Sequence, residues 1–236
     1  MLFFGGKDAL LALDMMKAAK EAMVPPFELS TFADPAGSFT TAAAMVACVE
    51  KVLKTKFNRG WKGTKIAVFG ATGVVGFASS IIAALEGADV QLVAHRGVDR
   101  VIKSAAISKE RFGVDLEAVP GETDDQKRDI IAHAEVIFAA AAAGVQVVNK
   151  EHKQLAKKLM VIADVNAVPP AGVEGMDLFM NGDPLPGCGA LGVGPLAIGD
   201  IKYKTESGLF KQMIASDKPV HFDFRDAFRL ARTFVG

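Results

Sequence analysis

Tyrosine and tryptophan occur once each, as Tyr203 and Trp61, and cysteine twice, as Cys48 and Cys188, in 236 residues. The cysteines are far apart and neither belongs to a Cys-x-x-Cys motif, so neither a structural zinc nor a redox pair is signalled. The expectation is a reduced, cytoplasmic setting. No sign of charge is in excess, with 27 basic and 27 acidic residues. A net attraction to nucleic acid or to an anionic membrane is thereby excluded, though not a local patch. No uninterrupted apolar run reaches membrane-spanning length. The opening "MLFFGG" is too short and lacks the basic leader of a signal peptide.

Catalytic groups are also scarce. Tyr203 is followed four positions on by Ser207, so the Tyr-x-x-x-Lys motif of short-chain dehydrogenases is missing. The four histidines, His95, His133, His152 and His221, are scattered. None stands at a recognisable spacing from an aspartate, and no zinc cluster is visible.

What is present is apolar. Half of the residues are hydrophobic and 23% are charged. That composition supports a substantial core in one large or two small domains and argues against disorder. Leu2–Phe4 reads as a short strand, residues 8–23 as a helix ended by Pro25-Pro26, residues 28–32 as a strand, and residues 40–54 as a long helix. From Trp61 the rhythm changes to strands alternating with helices. The strands are "KIAVFG", "DVQLVAH", "VDLEAV", "EVIFAAA" and "LMVIADV", and the helices cover 74–86, 98–112, 124–133 and 150–157. This alternation predicts an α/β fold with a doubly wound parallel sheet. Residues 181–199, rich in glycine and proline, read as irregular, and two helices are expected at 204–215 and 224–233.

The stretch "VFGATGVVGFASS" places Gly70, Gly73 and Gly76 between a strand and a helix, the context a dinucleotide fingerprint requires. Ala71 stands where the common pattern has a third close glycine. With Thr72, Val74 and Val75, these residues are the expected cradle for a pyrophosphate on the helix N-terminus. The next strand ends His95-Arg96, where NAD sites usually carry a carboxylate. A guanidinium there can pair bidentately with a 2′-phosphate, which favours NADP, with NAD as the alternative. Arg100 and Lys103 follow one turn later. Ala140 and Ala141, at the end of the fourth strand of the series, are small enough for a ribose to pass close to backbone. Asn166, after the fifth, is placed to meet the nicotinamide or the substrate, or simply to turn the chain before Pro169-Pro170.

A dehydrogenase without an evident acid or base needs a reaction in which no proton moves with the hydride. Oxidation of a methylene carbon between two nitrogens is such a reaction, because nitrogen lone pairs stabilise the cation that results.

Five stretches together resemble one family: "GGKDALLALDMMKAAK", "VPPFELSTFADPAGSFTTAAAMV", "VFGATGVVG", "VIADVNAVPPAGVEGMD" and "GALGVGPLAIGDIKYKT". They are similar to the NAD(P)-dependent methylenetetrahydromethanopterin dehydrogenases, relatives of bacterial methylenetetrahydrofolate dehydrogenases. The resemblance implies a Rossmann domain, a smaller α/β pterin domain, a cleft between them and a homo-oligomer. It implies a tetrahydromethanopterin-type substrate, interconverted between methylene and methenyl forms in formaldehyde oxidation. On this reading, residues 1–58 belong to the substrate domain, 59–200 to the cofactor domain, and 201–236 return to the first. Family members carry a further segment before the strand matching Leu2–Phe4, so exposed apolar surface is expected on the first domain.

The resemblance also implies roles. Lys202, in "GDIKYK", stands beside the reacting methylene bridge. Physically, a lysine there is either neutral or neutralised by a carboxylate such as Asp34, and the sequence leaves both open. Asp34, Ser38, Thr40 and Thr41 line the pterin side of the cleft. Ser38 or Thr40 equally well reads as a helix N-cap. Three other readings stay open. One is a methylenetetrahydrofolate dehydrogenase. Another is a shikimate-type NADP dehydrogenase using Lys7 and Asp34 as acid and base. The last is a non-catalytic NADP sensor.

Overall fold

The computed structural model describes all 236 residues, and they form two sheets that share one large core. The chain opens with β1 (Leu2–Phe4), α1 (Ala9–Ala22), β2 (Thr31–Ala33) and α2 (Ser38–Phe57). A βα series follows: β3 (Lys65–Phe69), α3 (Val74–Leu85), β4 (Asp89–Ala94), α4 (Asp99–Phe112), β5 (Glu117–Pro120), α5 (Asp124–His133), β6 (Val136–Ala139), α6 (Lys150–Leu155) and β7 (Val161–Asp164). The last elements are β8 (Asn181–Pro184), β9 (Leu191–Val193), α7 (Pro195–Ala215), β10 (His221–Phe222) and α8 (Phe224–Ala231).

The larger sheet has seven strands in the order β5-β4-β3-β6-β7-β9-β8. All neighbours are parallel except β8 with β9. The predicted doubly wound α/β arrangement is therefore present. Successive strands run outward from β3 through β4 to β5, then restart at β6 on the other side of β3. The crevice beyond the carboxyl ends of β3 and β6 is thus the switch point at which such sheets bind ligands. The smaller sheet is parallel, in the order β1-β2-β10. Phe3 and Phe32, paired in register, meet Phe210 of α7 with ring centroids 5.3–5.6 Å apart.

α2 is the centre of the molecule. It packs against α3, α7 and α8. The span Pro35–Phe57 is long and apolar enough to cross a membrane by length and composition, which scanning the sequence for an unbroken apolar run did not show. Its apolar residues are instead covered by the protein's own helices, with 72% of the apolar window buried. Glu50 is buried on this helix. Arg232, just past α8, holds it with two parallel N–H···O bonds of 2.6 and 2.7 Å and also pairs with Glu86 at the end of α3.

Three sequence expectations change. Residues 181–199 are ordered: β8 and β9 form the antiparallel edge of the large sheet. Their glycines and prolines fit an edge position, where Pro184 deprives no inner strand of a donor. α7 starts at Pro195, well before the expected Lys204. Proline suits the first helical position, since its missing N–H would have no partner there. Lys202 consequently lies inside a helix. Finally, β10 is only two residues long and carries no periodic signal. Apolar side chains are exposed around the smaller sheet, as expected, among them Phe3, Leu11, Met15 and Phe27.

Candidate functional site

The glycine turn joins β3 to α3 at the switch point. Gly70 has φ +79°, and a β-carbon there would stand 2.2 Å from the Ala140 carbonyl oxygen. A β-carbon at Gly76 would stand 2.4 Å from Gly70 O. Both glycines thus let three backbone segments close on one another, and Gly73 N donates to Gly70 O at 2.9 Å. α3 begins at Val74 with no side chain capping it. The N–H groups of its first turn have no intrahelical acceptor, so they and the positive end of the helix dipole are available to an anion. Thr72 and Gly73 are exposed at the tip, while Ala71 turns its methyl into the core. Val74 and Val75 are half-buried.

Beside this turn opens a cleft of about 340 Å³. Gly70, Ala71 and Thr72 line it from the turn, His95 and Arg96 from the end of β4, and Ala141 from the loop after β6. Arg100 and Lys127 complete a basic wall, and no aspartate or glutamate lines the cleft. The free helix start, the space that only glycine leaves and the acid-free basic wall fit a phosphate-bearing dinucleotide. Lys127 has no sequence motif. It reaches the cleft because it lies in the first turn of α5, which starts beyond the carboxyl end of β5. Lys7 lines a separate cavity of about 190 Å³ with Thr72, Gly73 and Val74, and Asp34 is absent from its lining.

At the end of β7, Asp164 is fully buried. Its carboxylate accepts the backbone N–H of Asn166 at 2.9 Å and of Val173 at 3.0 Å. Burial pushes its pKa up, and these backbone donors oppose the rise. Asn166 has little left to offer a ligand. Its carbonyl oxygen accepts from Val168 N at 2.9 Å and Gly144 N at 3.3 Å, and its amide donates to Pro170 O at 2.9 Å. Of the two readings of Asn166, these bonds favour the turn: it fastens the loop after β7 to the loop after β6 and keeps one N–H unassigned. Asp164, missed in the sequence, holds that loop from below.

At the end of β2 the chain turns through Ala36 and Gly37, both with φ in the left-handed region, at +53° and +65°. This turn brings Asp34 under the start of α2. Its Oδ1 accepts from Phe39 N at 2.8 Å and Thr40 N at 3.3 Å, and its Oδ2 from the Thr40 hydroxyl at 2.6 Å. The N-cap position of α2 is Gly37, and Asp34, rather than Ser38 or Thr40, supplies the side-chain acceptor for its first turn. Thr41 donates to Gly37 O at 2.7 Å. Asp34 and Thr40 are fully buried, so the expectation that they touch a ligand is corrected: they shape the wall from behind. Ser38 and Thr41 remain half-buried.

Lys202 projects from α7 across this turn. A β-carbon on Gly37 would lie 3.1 Å from Lys202 Nζ. The ion-pair partner of Lys202 is Glu206, one helical turn on, and not Asp34. Burial raises the pKa of Asp34, hydrogen bonds from Thr40 and Phe39 oppose the rise, and the charge of Glu206 adds to it.

Comparison with known proteins gives concordant relatives. A family model described as methylene-tetrahydromethanopterin dehydrogenase, N-terminal, matches residues 1–36. An NAD(P)-dependent methylenetetrahydromethanopterin dehydrogenase of Methylorubrum extorquens is 48% identical over 235 residues, covering 100% of this chain and 79% of that protein. The bifunctional protein MdtA of the same organism is 32% identical over 231 residues, covering 98% of this chain and 77% of that protein. Among solved structures, quinate dehydrogenase from Corynebacterium glutamicum in complex with NAD has a TM-score of 0.51 at 14% identity, covering 94% of this chain and 81% of that one. That last likeness is one of fold.

Proposed function

The chain belongs to the methylenetetrahydromethanopterin dehydrogenase family, and we propose that it oxidises methylene-tetrahydromethanopterin to the methenyl form with NADP as acceptor, in one-carbon metabolism. The observation that carries this reading is the 48% identity to the Methylorubrum enzyme across the full chain. The acid-free cleft lined by Arg96, Arg100 and Lys127 supports NADP over NAD.

Bound in the crevice, the nicotinamide supplies a hydride acceptor. The first-turn N–H groups of α3 would hold its pyrophosphate, and the basic wall of Arg96, Arg100 and Lys127 would hold a 2′-phosphate. Ala140 and Ala141 leave room for a ribose beside backbone. On this reading Lys202, Ser38 and Thr41, grouped about the turn at Gly37 that Asp34 and Thr40 hold, would take the pterin. When hydride departs with the electron pair of its C–H bond, the adjacent nitrogens take up the positive charge and no proton moves. The absence of a Tyr-x-x-x-Lys motif is consistent with that chemistry, and the His152–Asp124 pair, which joins α6 to α5 at 2.8 Å, does not line the cleft.

The shikimate-type alternative loses support, because the acid it requires, Asp34, is enclosed by Phe39 and Thr40. The test is absorbance at the reduced-nicotinamide band with methylene-tetrahydromethanopterin and either NADP or NAD. Methylene-tetrahydrofolate and shikimate serve as controls. Turnover with shikimate alone overturns the reading, and cofactor binding without any turnover favours a sensor. Lys202→Ala at saturating substrate tests the lysine: unchanged hydride transfer removes it from the mechanism.

A further inference from the structure

Two carboxylates, Asp34 and Glu206, are candidates to balance Lys202, and the structure gives them different work. Asp34 faces inward and is taken up by Phe39 N, Thr40 N and the Thr40 hydroxyl. Glu206 lies on the same face of α7 as Lys202, four residues on, and is the carboxylate within ion-pair distance of it. Both side chains of the pair are only 27% exposed, so solvent screens the pair less than it would a surface pair. Gly199, three residues before Lys202, shares that face. A β-carbon there would meet nothing within 4 Å. Glycine inside a helix is destabilising, and this one leaves open space beside the ion pair.

We infer that Glu206 is a positioning residue that balances the charge of Lys202, so that the one-carbon unit meets an ammonium–carboxylate pair rather than a bare cation. The inference rests on the reading of Lys202 proposed above. Its chemical reason lies in the reaction. The methylene substrate is neutral at the reacting carbon, and loss of hydride makes that carbon part of a methenyl cation. An unbalanced ammonium alongside would oppose the developing charge. A paired one contributes its donors for orientation while the carboxylate offsets the repulsion. Because Asp34 is turned into the core, Glu206 is the group available for this.

Loss of the carboxylate should therefore act unequally on the two oxidation states of the pterin, and that is what an experiment can read. Dissociation constants for methylene- and methenyl-tetrahydromethanopterin are measured by calorimetry in the unsubstituted protein, Glu206→Gln and the double variant Lys202→Met/Glu206→Gln. Thermal melts verify folding. In Glu206→Gln the methenyl cation should bind about tenfold more weakly, while the neutral methylene form changes by less than about twofold. The double variant, with no charge left, should regain most of the lost affinity for the cation. A Glu206→Gln change that is equal for both pterins, or no change, overturns the inference. So does a double variant no better than Glu206→Gln at binding the cation. Loss of pterin binding and turnover in the unsubstituted protein would instead overturn the functional reading itself. Retained turnover with equal shifts overturns only the role of Glu206.

Discussion

The Thr40 hydroxyl donates to Asp34 Oδ2 at 2.6 Å in the interior of the protein, below the start of α2. With the N–H groups of Phe39 and Thr40 on Oδ1, it makes Asp34 a helix cap placed before the turn rather than within the helix.

Asp34→Ala should therefore destabilise the fold by about 1–2 kcal/mol, the usual size of a lost cap. Asp34→Asn tests the charge. Burial holds the Asp34 carboxyl above its ordinary value of 3.8, and the burial of Asp164 acts in the same direction. A folded state that keeps its proton to higher pH binds more protons than the unfolded chain in that window. The contribution to stability is then fully present below the ordinary carboxylate range and is lost as pH rises through the folded-state value. Urea unfolding at several pH values between about 4 and 7 should show a shallower decline in Asp34→Asn than in the parent. An unaltered slope would contradict this account.

Gly37 serves two needs that a pair of variants can separate. Gly37→Ala meets a backbone cost of about 1–2 kcal/mol for leaving a side chain at positive φ, and its methyl would press on Lys202 Nζ from 3.1 Å. Gly63 has a similar φ, +69°, but a β-carbon there touches nothing within 4 Å. Gly63→Ala should lose comparable stability and keep its turnover, whereas Gly37→Ala should lose turnover as well. Equal turnover in the two variants would separate Lys202 from the reaction.

Arg96→Ser should weaken NADP binding by about tenfold or more and leave NAD binding within about twofold, as expected for loss of a guanidinium–phosphate pair. Lys127→Ala should act in the same direction but less strongly, as a point charge with no fork geometry. Calorimetry with both cofactors reads the ratio directly. Parallel losses for NAD and NADP would move these residues away from the 2′-phosphate.

Arg232→Ala should lower stability by about 2–3 kcal/mol, because it leaves the buried Glu50 carboxylate with Lys54 alone. Glu50→Gln/Arg232→Met should recover most of that loss, since the penalty lies in the unpaired charge. Chemical denaturation of the three proteins measures it.

The sequence made some of this legible and hid the rest for definite reasons. The turn from Gly70 to Gly76 and the strands on either side of it are local features. Their spacing is set by the tight approach of Gly70 to Ala140 and of Gly76 to Gly70, so they can be read along the chain. The basic end of β4 was legible for the same reason. Lys127 was not, because only the folded order of β3, β4 and β5 brings α5 to that cleft. Asp164 reads as the end of an apolar strand, since nothing in "VIADVN" announces that Val173 N folds back on it. The sequence leaves the partner of Lys202 open, with Asp34 as one candidate, and hides Glu206 because the helix reads as starting only at Lys204. Once the helix is seen to start at Pro195, Glu206 falls one turn above the lysine.

β10 consists of His221 and Phe222 and pairs with β2 across most of the chain's length. Val220 N also donates to Ser30 Oγ, 190 residues away in sequence. During synthesis the two sheets consequently mature on different schedules. The strands from β3 to β9 are all made by residue 193, so the large sheet can assemble while the chain is still growing. β2 must wait for Phe222 before its second edge is covered. Until then that edge is an unpaired strand next to exposed aromatic surface, the kind of intermediate on which chaperones act.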